Sequence, residues 1–437
     1  MRRHPSNGIA PNRRELVRAM GAAALAGIGG VMPERAGAAA RAATGPVVRT
    51  GAEIAAQSGF AALAGRHVGL VTNHTGMVGE QHLADLLAAA RGVKLAAILA
   101  PEHGFRGAVE AGEKVGNDID ARTGVRVWSL YGATRKPTPQ MLADVDVLVF
   151  DVQDVGVRFY TYISTMGLAM QAAAARRIPF VVLDRPNPIG GADVSGFMLE
   201  PKLKSFVGQY PMPIVHGMTV GEVARMVKGL RWLDGLDALD LQVIGMQGWR
   251  RDMRWPATGL GWRPTSPNIP TFEAALVYPG MGLVGETLVN EGRGTPRPFS
   301  QCGAPWLDAP EAAGRLQALG LPGVRFKATT YTPRSIPNIA ADPRFRDRQI
   351  PGVSLEVTDA SSYRPLEVGM HVLAALRGAA RARSVPLFDK LAMFHATSGT
   401  TRLHAMLEAG ADGHALVAAW GAEAARFAKA RAPYLLY

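Results

Sequence analysis

The chain has 437 residues, which is long enough for two domains. Of these residues, 48% are hydrophobic and 19% are charged, and this composition excludes a disordered or fibrous protein. Its formal net charge is +12, and the first 42 residues contribute +5 of it through seven arginines and two glutamates. Because the remaining basic residues are scattered and form no tract, we expect no nucleic-acid partner.

The N-terminus has the pattern of a twin-arginine export signal. Asn12-Arg13-Arg14-Glu15-Leu16-Val17 precedes a weakly apolar stretch rich in alanine and glycine, and small residues that suit a cleavage site follow before residue 42. The stretch is too short for a transmembrane helix, and the single cysteine, Cys302, does not follow the signal as a lipid-anchoring cysteine would. We predict a signal peptide over residues 1–42, a periplasmic or secreted protein, and no membrane anchor.

Apolar runs alternate with helix-like segments from about residue 66. The predicted strands are His67–Thr72, Leu95–Ala100, Val125–Leu130, Val145–Phe150, Phe180–Leu183 and Leu241–Met246. The predicted helices are His82–Arg91, Thr138–Leu142, Ser164–Arg177 and Thr219–Gly229, and the last begins with a Thr-x-x-Glu capping box. Apolar strands separated by helices are typical of a mainly parallel sheet covered on both faces, so we predict a Rossmann-like α/β domain over residues 60–270.

The alternation stops at residues 247–310, which are rich in glycine, proline and tryptophan and predict a long ordered loop region. A smaller α+β domain is predicted over residues 271–437. Its predicted elements are the strands Val324–Thr330 and Val353–Thr358 and the helices Val368–Ala382 and Gly413–Ala430, the last with Asp412 as its N-cap.

Several predicted strands end on clusters of polar residues. The run that ends at Ala100 is followed by Pro101-Glu102-His103-Gly104-Phe105-Arg106-Gly107. Similar clusters follow the other strands and contain Asn73, His74, Asp151, Asp154, Asp184, Arg185 and Asn187. In open α/β sheets, ligands bind outside the carboxyl ends of the strands, so these clusters predict one polar site.

Carboxylates in these clusters are the candidates for acid–base chemistry. Glu102 is the candidate general acid, because burial at the end of an apolar strand can raise the pKa of a carboxyl group. The alternatives are an N-cap or a structural ion pair with Arg106. Asp154, close before a glycine, is the candidate partner, whereas Asp151 is predicted to be structural.

Arginines near the strand ends and in one glycine-flanked loop are candidates for binding an anion, because a guanidinium group matches a carboxylate bidentately. They are Arg106, Arg158, Arg185 and Arg293. The loop Glu291-Gly292-Arg293-Gly294-Thr295 is the more specific signal, because its glycines permit a close approach to a ligand.

No metal or nucleotide motif accompanies these clusters. His74, His103 and His216 lack zinc-type spacing, so we expect them to hydrogen-bond substrate or backbone. A G-x-G-x-x-G after the first strand, a Walker A loop and a G-x-S-x-G elbow are all absent, which argues against dinucleotide, nucleotide and serine-hydrolase chemistry. We predict neither a metal nor a cofactor.

The longer motifs, taken together, resemble those of one family. They are Val71-Thr72-Asn73-His74-Thr75-Gly76, Pro101 to Gly107, Ser129-Leu130-Tyr131-Gly132, Asp151 to Tyr162, Asp184-Arg185-Pro186-Asn187-Pro188, His216-Gly217-Met218-Thr219 and Glu291 to Thr295. From about residue 60 to the C-terminus, the chain resembles the NamZ family of exo-β-N-acetylmuramidases of bacterial cell-wall recycling. One segment departs from the family's usual Glu-Gly-Thr-Asn-like run: it reads Gly285-Glu286-Thr287-Leu288-Val289-Asn290, so Glu286 receives no role.

The resemblance implies a cleft between the Rossmann-like domain and the C-terminal domain, and an exo-acting glycoside hydrolase. Such an enzyme releases N-acetylmuramic acid from the non-reducing ends of peptidoglycan fragments. The family's characteristic glutamate falls on Glu102, with Asp154, Glu291 or the substrate's own 2-acetamido group as the second catalytic group. The side chains expected to bind substrate are Asn73, His74, His103, Arg106, Tyr131, Arg158, Tyr160, Asp184, Arg185, Asn187, His216 and Arg293. A non-catalytic periplasmic muropeptide- or sugar-binding protein and a metal-dependent hydrolase remain as alternatives.

Overall fold

A computed structural model describes residues 47–105 and 116–437. The predicted signal peptide and Arg106 lie outside these residues. The strands within them are β1 His67–Thr72, β2 Met77–Val78, β3 Gln81–His82, β4 Lys94–Ala100, β5 Asp118–Ile119, β6 Arg126–Ser129, β7 Val147–Asp151, β8 Phe180–Leu183, β9 Leu241–Ile244, β10 Gln301–Gly303, β11 Val324–Tyr331 and β12 Ile350–Val357. The α-helices are α1 Gly51–Gln57, α2 Leu83–Ala89, α3 Tyr162–Arg176, α4 Val220–Gly229, α5 Phe272–Val284, α6 Ala309–Ala318, α7 Pro365–Ala382, α8 Leu391–Ser398, α9 Arg402–Glu408, α10 Gly413–Ala418 and α11 Gly421–Arg431.

The larger sheet has the order β5-β6-β4-β1-β7-β8-β9. All neighbouring strands are parallel except β5, which runs antiparallel to β6. Counted along the chain, the six parallel strands lie in the order 3-2-1-4-5-6, which is the doubly wound Rossmann arrangement. The predicted Rossmann-like, mainly parallel sheet is therefore confirmed.

Helices cover both faces of this sheet, because alternate strand residues point to opposite sides. Val68 and Leu70 of β1 pack on the face that carries α1 and α2. Val71 packs on the other face, in the core that contains α3 and α4. Helix α4 begins with the predicted capping box, in which Thr219 and Glu222 each bind the other's main-chain N–H.

The C-terminal half contains a small antiparallel sheet, β10-β12-β11, with α6 and α7 packed nearby. This confirms the α+β character predicted for it. Helix α7 crosses α5 where Gly280 meets Gly369, and a Cβ built on Gly280 would lie 2.6 Å from the Gly369 Cα. None of the helices in the part of the chain that the structure describes is long and apolar enough to cross a membrane.

Three predicted elements are wrong in detail. Residues 138–142 form turns with i→i+3 hydrogen bonds rather than a helix. The helix predicted over 413–430 is two helices, α10 and α11. Trp420 lies between them and is buried against Phe197, at 5.6 Å between ring centroids. The loop region predicted over 247–310 contains β10 and the helix α5, whose internal proline and glycines weaken its helical pattern.

Candidate active site

A pocket lies beyond the carboxyl end of β4 and is lined by residues from both halves of the chain. We call it the Glu102 pocket. The first half contributes Glu102, His103, Tyr131, Phe159, Tyr160, Thr161 and Tyr162, and the second half contributes Tyr278, Glu286, Arg293, Phe299, Met393 and Thr397, among others. Of the sequence-predicted site residues, the pocket therefore brings together Glu102, His103, Tyr131, Tyr160 and Arg293.

Glu102 is buried at the inner wall of this pocket, with 9% of its surface exposed. Its Oε2 accepts a hydrogen bond of 2.6 Å from the Thr161 hydroxyl. The pKa of Tyr131 is raised to about 12, chiefly by burial and in addition by the adjacent Glu102 carboxylate, to which its hydroxyl hydrogen-bonds. A carboxyl group held by side-chain hydroxyls in a partly dry pocket has the geometry that proton transfer to a bound substrate requires.

The backbone turns sharply at Glu102, because the next two residues adopt left-handed conformations. His103 has a φ of 71° and Gly104 a φ of 75°. A non-glycine residue in this region costs on the order of 1–3 kcal/mol, and such strain concentrates at ligand sites. The turn directs the strand-end carboxylate into the pocket, which explains the histidine–glycine pair after Glu102.

Aromatic rings form the floor of the Glu102 pocket. Tyr278 packs edge-on against Phe159, Tyr160 and Phe299, with ring centroids 5.3, 5.9 and 4.9 Å away respectively. Tyr160 in turn packs against Tyr162 at 5.0 Å. Amphipathic rings of this kind suit the apolar faces and polar edges of a sugar.

Glu286 is a second carboxylate of the pocket, which sequence reasoning left without a role. Burial raises its pKa; Arg293 opposes this shift, and Glu291 adds to it. It follows the C-terminus of α5, so its place in the same pocket as Glu102 depends on how the two halves of the chain pack together. The altered Gly285-Glu286-Thr287 run gave no sequence signal of this position.

Arg293 stands at the boundary between the Glu102 pocket and a larger neighbouring cavity, which we call the basic pocket. Its Nε lies 3.0 Å from Oε1 of Glu291, and its guanidinium group lies 5.4 Å from the centre of the Phe299 ring. The basic pocket is also lined by Glu291, Asn268, Asp342, Arg344, Arg346 and Lys390. Both residues of the predicted Glu291–Arg293 loop therefore face a cavity, and Arg293 faces both cavities.

Asp154 is not among the described residues that line the Glu102 pocket. It is buried, and its Oδ1 accepts a hydrogen bond of 2.7 Å from the Gly156 N–H. Burial raises its pKa to about 7. The turn that this carboxylate stabilises leads into Val157–Tyr160, so Asp154 supports the segment that carries Tyr160 and Thr161.

Arg158 and Arg185 are held by the fold. Arg158 is 1% exposed and donates to the main-chain oxygens of Phe197, Met212 and Thr397 at 2.8, 2.9 and 3.0 Å. Arg185 forms a bidentate ion pair with Asp151, at 2.6 and 2.9 Å, which agrees with the structural role predicted for Asp151. Arg158 thus supports the pocket wall at Thr397 from behind.

The remaining predicted substrate-binding residues that the structure describes are also engaged in structural hydrogen bonds. Asn73 donates to the Tyr162 hydroxyl and Asn187 to the Met218 carbonyl. His216 accepts from the Met218 N–H within the same turn, and His74 contacts the Pro264 carbonyl. Burial lowers the pKa of His216 to about 3, so this imidazole is neutral. Asp184 accepts from Thr219, Gly221 and Tyr437 at 2.7–2.9 Å, which joins the chain's C-terminus to α4.

The described residues bring no group of three or more histidine, cysteine, aspartate or glutamate side chains into an arrangement that could hold a metal ion. What they do bring together is a carboxyl group, a second carboxylate, an aromatic floor and a cation. Carboxyl groups beside an aromatic floor are the groups that glycoside hydrolases use, and the carboxyl edge of a Rossmann-like sheet is where a ligand site is expected.

Comparison with known proteins identifies the family. Residues 68–273 match the model of the N-terminal domain of the exo-β-N-acetylmuramidase NamZ, and residues 276–437 match the model of its C-terminal domain. The chain therefore belongs to the NamZ family of glycoside hydrolases. This membership does not favour the two alternatives left open by the sequence, a non-catalytic binding protein and a metal-dependent hydrolase.

Individual relatives agree with this assignment. The chain is 40% identical over 397 residues to the peptidoglycan β-N-acetylmuramidase NamZ of Bacillus subtilis, covering 90% of this chain and 92% of that protein. Two crystal structures of DUF1343 family proteins from Bacteroides fragilis share its fold. One has a TM-score of 0.82 at 36% identity and covers 89% of this chain and 99% of its own. The other has a TM-score of 0.72 at 34% identity and covers 90% of this chain and 99% of its own.

Proposed function

We propose that this protein is an exo-acting glycoside hydrolase that releases N-acetylmuramic acid from the non-reducing ends of peptidoglycan fragments. The observation that carries the proposal is the Glu102 pocket, where a buried carboxyl group and a second carboxylate face an aromatic floor beside a cation. Membership of the NamZ family and the peptidoglycan β-N-acetylmuramidase activity of the B. subtilis relative support the same substrate class.

In the proposed reaction, Glu102 donates its proton to the glycosidic oxygen as the bond to the sugar breaks. Thr161 and Tyr131 hold the carboxyl group in position. Glu286, the other carboxylate of the pocket, is our candidate for the group that stabilises the oxocarbenium-like transition state or orients the attacking group. The substrate's 2-acetamido group is the alternative nucleophile, in which case Glu286 would orient it.

Arg293 would recognise the lactyl carboxylate that distinguishes N-acetylmuramic acid from other amino sugars. It lines the Glu102 pocket, 42% of its side chain is exposed, and a guanidinium group binds a carboxylate through two parallel hydrogen bonds. Its ion pair with Glu291 holds it at the pocket boundary.

A chromogenic aryl β-N-acetylmuramide tests the chemistry. We expect the purified wild type to release the aryl group and free N-acetylmuramic acid. Glu102→Gln should lose about 10²–10⁴-fold in kcat, the usual contribution of a general acid. Because an aryl leaving group needs less protonation than a sugar, the loss should be larger on a muramyl disaccharide. Full activity of Glu102→Gln on the disaccharide would remove Glu102 from this role.

A second pair of substrates tests whether Arg293 recognises the lactyl carboxylate. Arg293→Met should raise KM for the muramide, whereas it should leave KM unchanged for the methyl ester of the lactyl group. An equal increase for both substrates would mean that Arg293 does not bind the carboxylate.

Single N-acetylmuramic acid units as the product from longer glycans would establish exo action, whereas internal fragments would contradict it.

We also propose that the protein is exported to the periplasm or cell exterior and participates there in cell-wall recycling. The support is the Arg13-Arg14 pair followed by a weakly apolar stretch in the sequence. Replacement of both arginines by lysine keeps the positive charge but removes the twin-arginine pair. We expect this variant to fail in twin-arginine export and to stay in the cytoplasm. Normal export of that variant would overturn this proposal.

A further inference from the structure

A second cavity opens at the same edge of the sheet, where the order of the strands reverses between β1 and β7. We call it the switch-point pocket. Its volume is about 390 Å³, and its lining includes Thr75 after β1, Gln153 after β7 and Arg185 after β8. Doubly wound sheets bind their ligands at this position, and small-molecule sites are commonly about 300–1,000 Å³.

The switch-point pocket and the Glu102 pocket lie on the two sides of one loop. Trp262 and Arg263 of this loop line the switch-point pocket. Ser266, Asn268 and Ile269 of the same loop line the Glu102 pocket. The two cavities share no lining residue.

Two side chains that line the switch-point pocket each carry a buried polar atom without a hydrogen-bond partner. Gln153 is 4% exposed, and its Nε2 donates to two main-chain oxygens, whereas its Oε1 has no donor. Trp255 is 6% exposed, and its Nε1 has no acceptor. Because an unpaired buried polar atom costs about 1–3 kcal/mol, an unused acceptor and an unused donor together favour a ligand that supplies both.

The charges on the wall favour a neutral ligand. Arg185 is neutralised by Asp151, and Arg263 forms an ion pair of 3.1 Å with Glu80. The remaining acidic side chain is that of Glu53, which caps α1 by accepting from the Thr50 N–H at 2.7 Å. No excess of positive charge is left for a phosphate or a carboxylate among these side chains.

The aromatic side chains narrow the ligand class further. Trp255 and Trp262 both line the cavity and pack edge-on, with centroids 5.1 Å apart. An indole ring presents an apolar face and a polar edge, as the rings of carbohydrate sites do. A neutral N-acetylated sugar offers hydroxyl and amide donors for Gln153, oxygen acceptors for Trp255 and an apolar ring face.

We propose that the switch-point pocket is a second, non-catalytic binding site for a neutral N-acetylhexosamine residue of a glycan. The site is separate from the hydrolytic chemistry proposed for the Glu102 pocket. It would retain a glycan chain on the enzyme while ends are processed at the Glu102 pocket.

Isothermal titration of the full-length protein with di-N-acetylchitobiose tests the proposal, since this sugar lacks the lactyl carboxylate. We expect one site with the same affinity in the wild type and in Glu102→Gln, and no displacement by saturating N-acetylmuramic acid. Gln153→Met should weaken binding at least tenfold, and Gln171→Met on the surface of α3 is its control. Hydrolysis of the aryl muramide is measured in parallel, so failure of the proposed activity stays distinguishable from failure of this site.

Glu53→Gln is the second variant, because it keeps the capping geometry of α1 and should still fold if Gln153→Met does not. Glu53 lines the cavity, and a carboxylate accepts hydrogen bonds from sugar hydroxyls more strongly than an amide does, so we expect this variant to weaken binding about threefold or more. Glu311→Gln, at the equivalent third position of α6, is its matched control and should bind normally. Absence of chitobiose binding, loss of binding in Glu102→Gln, or displacement by N-acetylmuramic acid would each overturn the proposal.

Discussion

The buried carboxylate of Asp154 predicts a pH dependence of stability with a definite sign. Burial raises its pKa in the folded protein from 3.8 to about 7. In the folded state the group therefore binds its proton more tightly than in the unfolded chain. Ionisation favours unfolding, so stability falls as the pH rises from about 4 to about 7 and then levels off.

The size of this effect follows from the shift. One pKa unit is worth about 1.4 kcal/mol, so the difference between 3.8 and about 7 corresponds to about 4 kcal/mol once the group is fully ionised. At pH 5 only about 1.5 kcal/mol of this has been lost. Asp154→Asn removes the ionisation and retains an oxygen for the Gly156 N–H. Its stability relative to wild type should therefore improve by about 2–3 kcal/mol between pH 5 and pH 8.

Urea unfolding at both pH values measures this difference, with the free energy of unfolding extrapolated to water. Asp252→Asn, at an aspartate whose side chain is 70% exposed, is the control and should show no such change. A constant difference between Asp154→Asn and wild type at pH 5 and pH 8 would refute the reasoning. Muramide hydrolysis by the same variant tests the other prediction for Asp154: near-normal activity would exclude it as the second catalytic carboxylate.

Three further outcomes are expected. Thr161→Val removes the 2.6 Å hydrogen bond to Glu102 and should lower kcat/KM about tenfold or more without loss of folding, measured on the muramide; an unchanged value would contradict the positioning role. Tyr437→Phe removes a donor to Asp184, whose pKa burial raises to about 6, so it should destabilise the protein by about 1–2 kcal/mol at pH 8 and by less at pH 5 in urea unfolding. Gly280→Ala forces a Cβ against the backbone of α7 and should lower the free energy of unfolding by about 1–3 kcal/mol or more. Gly378→Ala, where a Cβ has open space, should be neutral or stabilising. Equal thermal stability of the two variants would contradict the close crossing.

The larger sheet could be predicted from sequence because its strands are short, apolar and separated by helices with clear caps. The strands β1 and β8 have the predicted bounds, and the capping box of Thr219 and Glu222 is present. Helix α5 was missed because Pro279 and its glycines resemble loop residues, although Gly280 serves a close helix crossing. A local sequence pattern indicates only the backbone preference of a segment, whereas the helical conformation of α5 also depends on its tertiary contact with α7.

The pocket was partly predictable for the same reason. Glu102 and Tyr131 follow strands whose ends must meet, so their position at one edge of the sheet follows from the topology. Glu286 follows a helix from the other half of the chain, and no local pattern specifies which surface it faces. Arg158 has the residue type of an anion binder, but only the structure shows that three carbonyl oxygens already surround it.

Polar residues at strand ends serve two purposes here, and the contacts of each residue separate them. A buried strand end leaves main-chain groups that need partners, and short polar side chains such as Asp154 and Asp184 supply them. Asp154 accepts from the Gly156 N–H, and Asp184 accepts from the Gly221 N–H and from the hydroxyls of Thr219 and Tyr437, so both carboxylates fix their loops in position. Glu102 lines a cavity, and its carboxylate is held by the Thr161 hydroxyl. A carboxyl group that lines a cavity can exchange a proton with a ligand, whereas the carboxyl group of Asp154 does not line the Glu102 pocket. This difference distinguishes the reactive strand end from its structural neighbour.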